Sequence, residues 1–246
     1  MAKKDADIKG GGVGNFDNAI DSVPDKLLAD QIEEYLLDAG SDHLQTFGGN
    51  FEGGIQLQQV PDEFANFIAD IIESGRKVDS YMEIGSAAGG TVYAINHFFN
   101  CSTIVLIDDN RHPKAHVRPY ILRDILRNEI IGDSHHPNTL KVAAEYCQQY
   151  DMVMIDGDHS YHGVKKDYEM YASLVRVGGL LVFHDSAIVY DPGLVGVFML
   201  IDELCSDIDN GRNKNFTFVK EYVTEKYQRV CGIAVFEKVK AGGGCK

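Results

Sequence analysis

Short apolar runs alternate with helix-like segments along the chain from residue 81 onward. Each apolar run has the length of a buried strand, and the segments between the runs are long enough to form helices. This rhythm indicates βαβ units, so we predict a doubly wound α/β fold around a mostly parallel sheet. The strands predicted in this part lie at residues 81–84, 103–107, 129–131, 152–155 and 180–183.

The pattern changes after Asp185. Two β-rich runs, at residues 216–222 and 230–236, are joined by a polar segment and predict a hairpin-like pair. The sheet is therefore expected to contain seven strands, with an antiparallel strand at its C-terminal end. The helices predicted between and after the strands lie at residues 91–99, 117–128, 139–149, 164–175 and 194–205.

Two amphipathic helices are predicted before the first strand, one from Pro24 and Asp25 to Gly40 and one from Pro61 to Gly75. They are expected to cover the sheet. Both ends of the chain are polar and rich in glycine, a composition that favours disorder. The expected organisation is a disordered segment at 1–14, a helical and loop cover at 15–60, the main domain at 61–240 and a disordered tail at 241–246.

Composition narrows the class of partner. The 246 residues carry a formal net charge of -14, and their basic residues are scattered, so a nucleic-acid backbone would be repelled. No apolar run reaches the length of a membrane span. The five cysteines show no paired spacing, which favours reduced thiols. We therefore expect a cytoplasmic protein that binds neither nucleic acid nor membrane, and whether it forms a homo-oligomer stays open.

A turn of small residues follows the first predicted strand. Glu83 is followed by Gly85, Ser86 and Gly89, and such a turn lets a ligand approach the backbone at the carboxyl end of a strand. The next strand ends in Asp108, whose carboxylate can accept hydrogen bonds from the hydroxyls of a ribose. The alternative interpretation of this turn is a tight strand-to-helix connection that binds no ligand. The glycine spacing is not that of a dinucleotide site, and a carboxylate at Glu83 suits a cationic ligand.

Acids and histidines follow two later strands. Asp156, Asp158 and His159 come after one strand, and His184 and Asp185 end another. Because the carboxyl ends of parallel strands face one crevice, these side chains are expected to converge near the ligand. Their oxygen atoms suit Mg²⁺, Mn²⁺ or Ca²⁺.

The first group of motifs resembles class I S-adenosylmethionine-dependent methyltransferases. Glu83-Ile84-Gly85 with Gly89 is similar to the first motif of that family, and Asp108 is similar to its ribose acid. Gly132-Asp133-Ser134 resembles the segment that borders the adenine. The resemblance implies that S-adenosyl-L-methionine is bound by Glu83, Gly85, Ser86, Gly89, Asp108, Asp133, Ser134 and Asp156.

The second group resembles the metal-dependent O-methyltransferases, both the catechol and caffeoyl-coenzyme A type and the bacterial sugar and antibiotic type. The resemblance implies Asp156 as the first metal-binding acid, His159 as the general base, and His184 with Asp185 as the adjacent ligand pair. His184 departs from the family, which usually has an acid or amide there. An imidazole would shift the preference toward Mn²⁺, Fe²⁺ or Zn²⁺, or it could mean that the metal is lost.

The expected function is metal-assisted methyl transfer to a hydroxyl of a small acceptor, which would be a sugar, polyketide or phenol. The alternatives are a non-catalytic adenosyl-ligand binder and another enzyme on the same fold, such as an aminopropyltransferase or a hydroxylase-annotated relative. At residue level, His159 could instead cap the next helix and His184 could be a packing residue, and His135, His136 and His162 are expected on the surface or in loops.

Overall fold

The computed structural model describes residues 27–40, 54–189, 194–227 and 230–240. Within these ranges the first half of the chain forms α1 (Leu28–Ala39), α2 (Pro61–Glu73), β1 (Ser80–Ile84), α3 (Gly90–Phe99), β2 (Thr103–Asp108), a 3₁₀ turn (Ala115–Val117), α4 (Arg118–Ile121) and β3 (Asn128–Ile131). The second half forms α5 (Pro137–Tyr146), β4 (Tyr150–Ile155), α6 (Tyr161–Tyr171), a second 3₁₀ turn (Ala172–Leu174), β5 (Val175–His184), α7 (Val197–Asp209), β6 (Phe216–Tyr222) and β7 (Ile233–Lys238).

The strands of the described residues form one seven-stranded sheet in the order β3-β2-β1-β4-β5-β7-β6. Strands β1 to β5 are parallel, and β7 runs antiparallel to both β5 and β6. The chain winds outward from β1 to β3 and then returns to place β4 on the other side of β1. This reversal opens a crevice at the carboxyl ends of β1 and β4. The predicted doubly wound sheet with an antiparallel C-terminal strand is confirmed.

Both faces of the sheet are buried, which explains why its central strands are continuous apolar runs. Along β4, Met152 and Met154 pack on the side of α1, α2 and α3, whereas Val153 and Ile155 pack on the side of α6 and α7. Successive strand residues thus alternate between two cores. The predicted N-terminal helix α2 covers the first of these cores with Phe64, which is fully buried.

Four of the predicted helices differ in extent. Those expected at 139–149 and 194–205 form at Pro137–Tyr146 and Val197–Asp209. The helix expected at 117–128 ends at Ile121, because the Arg127 guanidinium donates to the carbonyl oxygens of Leu122 (2.6 Å) and Ile125 (3.1 Å), which a longer helix would have used itself. The helix expected at 164–175 begins earlier, since Ser160 accepts a hydrogen bond from the Gly163 N–H. It also ends earlier, and Val175 is the first residue of β5.

Several expectations fall outside the described residues: the segments 1–14 and 241–246, the helix start at Pro24 and Asp25, and residues 15–26 and 41–53 of the predicted helical and loop cover. Among the described helices, none is both long enough and apolar enough to cross a membrane.

Candidate active site

A cavity of about 680 Å³ opens at the carboxyl ends of the parallel strands, where the strand order reverses. Asp108, at the end of β2, lines one end of the cavity. Asp156 and His159, which follow β4, line the other end together with His184 and Asp185, at the end of β5. The sheet therefore brings the two groups of predicted site residues into one crevice.

The glycine turn after β1 is shaped by the neighbouring strand. Gly85 has a φ of +86°, and a β carbon there would lie 2.1 Å from the carbonyl oxygen of Asp156. Its N–H donates to the carbonyl of Ile107 at 2.8 Å. Gly89 also has a positive φ, of +89°, and is the N-cap residue that immediately precedes α3. Gly85 is thus required for close packing between β1 and β4, and it also lines the cavity, where a ligand could approach its backbone.

Asp108 is held in place from three sides. Its carboxylate accepts hydrogen bonds from the backbone N–H groups of Ala87 (2.8 Å) and Asn110 (2.7 Å). Arg118 Nη1 lies 3.2 Å from the same carboxylate and donates to Ser86 Oγ and the Ala87 carbonyl, both at 3.1 Å. Arg118 is 2% exposed, so this buried guanidinium ties the glycine turn to the end of β2.

Sequence reasoning missed Arg118, because a single arginine within a predicted amphipathic helix carries no motif. Its burial depends on two acids from different strands, Asp108 on β2 and Glu129 on β3, the latter with Oε2 at 3.4 Å from Arg118 Nε. Only the parallel pairing of these strands places both acids on one guanidinium.

Glu83 lies beneath the cavity. It is 1% exposed, accepts a hydrogen bond from the Tyr81 hydroxyl, and is not among the described residues that line the cavity. Tyr81 and Glu83 are two positions apart on β1 and therefore share its inner face. Burial raises the pKa of Glu83 to about 8. The expected contact with a cationic ligand is thus replaced by a buried carboxyl under the glycine turn.

The predicted adenine segment follows β3 and lines the cavity with Gly132, Asp133 and Ser134. His135, which lies in a loop as expected, also lines the cavity. Its Nε2 lies 3.4 Å from an oxygen of Asp167, a fully buried residue of α6. Burial raises the pKa of Asp167 to about 6.

Two carboxylates and two imidazoles meet at the other end of the cavity. Asp156 Oδ1 lies 3.0 Å from His184 Nδ1 and 3.2 Å from His159 Nε2. Asp185 Oδ2 lies 2.9 Å from His159 Nδ1, and Asp185 Oδ1 lies 3.4 Å from His184 Nδ1. Asp185 has a φ of +59°, a left-handed conformation that lets its side chain share a crevice with the preceding residue on the strand.

These four groups shift one another's protonation. Burial lowers the pKa of His159, but its hydrogen bonds to Asp156 and Asp185 outweigh burial and raise the pKa to about 10. Burial likewise lowers the pKa of His184, which the charges of Asp156 and Asp185 nevertheless hold well above its ordinary value. Against the opposing effect of burial, the histidines hold the pKa values of both carboxyls below their usual range.

This donor set fits a divalent cation. At neutral pH the two carboxylates are balanced by protons on His159 and His184, so two protons supply the positive charge that one divalent ion would supply. One group of side chains that could hold a metal ion consists of Asp156, His159 and Asp185, whose donor atoms lie within 4.8 Å of one another. A second group consists of His184, Asp185 and Cys231.

The sequence analysis did not identify two further residues near the cluster of Asp156, His159, His184 and Asp185. Gln59 is fully buried and donates to Asp156 Oδ2 at 3.0 Å and to Thr91 Oγ1 at 3.3 Å. Cys231 is fully buried beside His184 and Asp185. Neither shows a local sequence signal, because each reaches the site from an element far away in the chain.

Other expected residues lie away from the centre of the site. Asp158 is exposed, and its carboxylate accepts a hydrogen bond from the Ser160 N–H at 2.9 Å. Ser160 caps α6, a role that we had kept open for His159. His136 and His162 are exposed. Ser86 contacts Arg118, and neither Ser86 nor Gly89 is among the described residues that line the cavity.

Comparison with known proteins agrees with this geometry. Residues 82–186 match a family model described as a methyltransferase domain. The matched region includes the glycine turn, Asp108, Asp156, His159 and both residues of the His184 and Asp185 pair. The comparison with curated protein sequences gave no match.

Solved methyltransferase structures share the fold. MycE from the mycinamycin biosynthetic pathway, solved with Mg and SAH, is 23% identical with a TM-score of 0.53; the match covers 74% of this chain and 50% of the MycE chain. The O-methyltransferase TomG from Streptomyces achromogenes, solved with SAM, is 14% identical with a TM-score of 0.59, covering 90% and 93%. An O-methyltransferase from Bacillus cereus, in complex with SAH, is 13% identical with a TM-score of 0.55, covering 88% and 93%.

The chain thus spans half the length of MycE and nearly all of the other two enzymes. Its glycine turn and Asp108 lie within the region that matches the family model. Residues 82–186 are thus similar to a methyltransferase domain, and the described part of the chain shares the fold of these solved methyltransferases.

Proposed function

We propose that the protein transfers a methyl group from S-adenosylmethionine to a hydroxyl of a small acceptor, with help from a divalent ion. The observation that carries this proposal is one cavity with Asp108 at one end and the cluster of Asp156, His159, His184 and Asp185 at the other. A ribose acid at one end and a proton-accepting, cation-binding cluster at the other are the two parts that O-methylation requires.

The chain's own groups would orient the donor. Asp108 would accept hydrogen bonds from the ribose hydroxyls, while Arg118 and the Ala87 N–H keep its carboxylate fixed. Gly132, Asp133 and Ser134 border the adenine. These residues would hold the donor beside the cluster, and fixing the two reactants in line would supply much of the rate enhancement.

In the transfer step the acceptor oxygen bonds to the methyl carbon as the carbon–sulfur bond breaks, and the sulfonium becomes a neutral thioether. The hydroxyl proton passes to a nitrogen of His159. When bound, a divalent ion would lower the pKa of the acceptor hydroxyl and offset the charge of Asp156 and Asp185. Those two carboxylates raise the pKa of His159 to about 10. His159 can therefore accept a proton at neutral pH only when their charge is neutralised.

The acceptor is a sugar, polyketide or phenolic hydroxyl, in that order of preference. MycE was solved with mycinamycin VI, and TomG is involved in tomaymycin synthesis, so small natural products are the acceptors suggested by these relatives. The net charge of -14 argues against nucleic acid as an acceptor.

The test is methyl transfer from labelled donor to a panel of hydroxylated acceptors, with added Mg²⁺ or Mn²⁺ and with excess chelator. His159→Ala should lower turnover by about 10² to 10⁴ with donor affinity nearly intact. His162→Ala is the matched control, because His162 is an exposed histidine of the same segment, and it should act like wild type.

Equal rates with ion and with chelator would refute the metal half of the proposal. Donor binding without transfer to any acceptor of the panel would instead favour an adenosyl-ligand binder.

A further inference from the structure

A buried thiol adjoins two residues, His184 and Asp185, that line the far end of the cavity. The sulfur of Cys231 lies within 4.8 Å of a ring nitrogen of His184 and a carboxylate oxygen of Asp185. All three residues are buried, with exposures of 0%, 6% and 6%. They come from the end of β5 and from the segment just before β7, which pair as neighbouring strands.

The fold brings Cys231 to this place through Gly232. Gly232 has a φ of +84°, and a β carbon there would lie 2.6 Å from both the Ala187 nitrogen and Ser186 Oγ. Only glycine allows so close an approach. The carbonyl of Cys231 accepts the Ala187 N–H at 2.9 Å, so the cysteine is fixed beside the residues that follow Asp185.

A buried glutamate secures the same segment. Glu63 of α2 is 1% exposed and accepts the N–H groups of Gly232 (2.9 Å) and Thr224 (3.2 Å). The position of Cys231 is thus determined by β5, by the approach to β7 and by a helix of the N-terminal cover.

One ring nitrogen of His184 makes no hydrogen bond to oxygen or nitrogen. Its Nδ1 lies 3.0 Å from Asp156, whereas its buried Nε2 has no nitrogen or oxygen partner among the described residues. The side chain of Cys231 is close enough to contribute to the raised pKa of His184. A buried polar atom without a good partner is costly, so a ligand that uses this nitrogen is favoured. A bound ion would use the imidazole, the adjacent carboxylate and the thiolate together.

We propose that His184, Asp185 and Cys231 form a binding site for a thiolate-preferring divalent ion of the Zn²⁺ class. Sulfur, nitrogen and oxygen donors together favour Zn²⁺ over Mg²⁺, which prefers oxygen ligands. Three protein ligands leave one position open for an acceptor oxygen, as in catalytic zinc sites. On binding, the thiol proton of Cys231 and the additional proton of His184 are released to solvent, so the cysteine binds as a thiolate and the histidine as a neutral imidazole.

This inference deepens the proposed metal site and depends on the proposed function only for the use made of the ion. The competing explanation is that Cys231 fills space, since it also packs with Val60, Leu37, Ile188 and Tyr227. A space-filling cysteine would have no effect on which ion binds.

The experiment loads the full chain with Co²⁺ and records its absorption spectrum without methyl donor or acceptor. We expect thiolate-to-cobalt charge-transfer absorption in the wild type, its loss in Cys231→Ser, and its retention in Cys205→Ser, the matched control on α7. In competition with a chromogenic chelator, Cys231→Ser should bind Zn²⁺ at least about tenfold more weakly, because even partners of metal ligands cost that much.

X-ray absorption of the zinc-loaded wild type keeps the test independent of variant folding. A sulfur shell at about 2.3 Å supports the site, and a shell of nitrogen and oxygen alone overturns it. Equal cobalt spectra for wild type and Cys231→Ser also overturn it. Because no step uses a methyl donor, failure of every acceptor in the transfer assay would leave this result unchanged.

Discussion

The backbone of Gly85 lies directly against the carbonyl of Asp156, so the glycine turn and the residue that follows β4 are packed without room for a side chain. A β carbon on Gly85 would stand 2.1 Å from that oxygen. The proposed donor and acceptor ends of the cavity are therefore joined by a direct backbone contact.

Replacement of this glycine should consequently be costly. Gly85→Ala must separate β1 from β4 and also adopt a φ of +86°. Gly75→Ala is the matched control, since Gly75 has a φ of +69° but nothing within 4 Å of the new carbon. The control should lose only about 1 to 2 kcal/mol of unfolding free energy, the cost of a left-handed alanine. Urea unfolding measures both, and equal losses would contradict the packing role.

Arg118 should contribute more to stability than any surface arginine. Arg118→Met leaves Asp108 buried without its cation, which we expect to cost about 3 to 5 kcal/mol of unfolding free energy. Arg123→Met is the control, because Arg123 and its partner Asp124 are 58% and 86% exposed. Its effect should stay within about 0.5 kcal/mol. A stable Arg118→Met protein would show that the ion pair is dispensable.

Asp108 is the proposed ribose acid, and its neighbour allows a direct comparison. Asp108→Ala should weaken S-adenosylmethionine binding by about 1.5 to 3 kcal/mol, the cost of losing a hydrogen bond to a charged group. Asp109→Ala should bind nearly as wild type, since the Asp109 side chain is 41% exposed and pairs with Arg111. Isothermal titration decides the matter, and a larger loss for Asp109→Ala would reassign the ribose contact.

Gln59 should act by positioning Asp156. Gln59→Leu removes the 3.0 Å hydrogen bond to Asp156 Oδ2 at nearly constant volume and should weaken metal binding by about 10- to 100-fold. Thr91→Val is the control, because it removes the other partner of the Gln59 amide and leaves the bond to Asp156. Metal titration should separate the two variants; equal effects would point to packing instead.

The pH dependence of stability should report the charge of His159. In chelator the pKa of His159 is about 10 in the folded protein, against about 6.5 when unfolded. Its protonation therefore stabilises the fold fully below about pH 6.5, and this contribution is lost as pH rises toward 10. The lowered pKa values of Asp156 and Asp185 have the opposite effect: the ionised carboxylates stabilise the fold, and this stability is lost as the pH falls and they become protonated.

The melting temperature measured against pH gives the check. The wild type in chelator should lose more stability than His159→Gln between about pH 6.5 and 10, and saturating metal should flatten the difference. A histidine with an unshifted pKa would contribute no pH dependence to stability, because it would bind protons equally in the folded and unfolded states. Superimposable curves for wild type and variant would contradict the raised pKa.

Local pattern was sufficient for most of the fold. The strand β4 was recognised because both faces of a central parallel strand are buried, so its residues from Met152 to Ile155 are all apolar. The end of each such strand was marked by a change to acids and histidines, which is why Asp108, Asp156, His159, His184 and Asp185 could be named in advance. The rule that strand ends meet at a reversal of strand order then predicted their convergence.

Tertiary structure alone decided how these residues are used. Arg118, Gln59 and Cys231 reach the site across long stretches of chain, and no spacing in the sequence relates them to their partners. Glu83 could be placed on β1 from sequence, but only packing against Tyr81 and the helices beneath the sheet shows that its carboxyl is buried away from the cavity. The charge of His159 likewise depends on two carboxylates from different strands, because a pKa is set by distances in space.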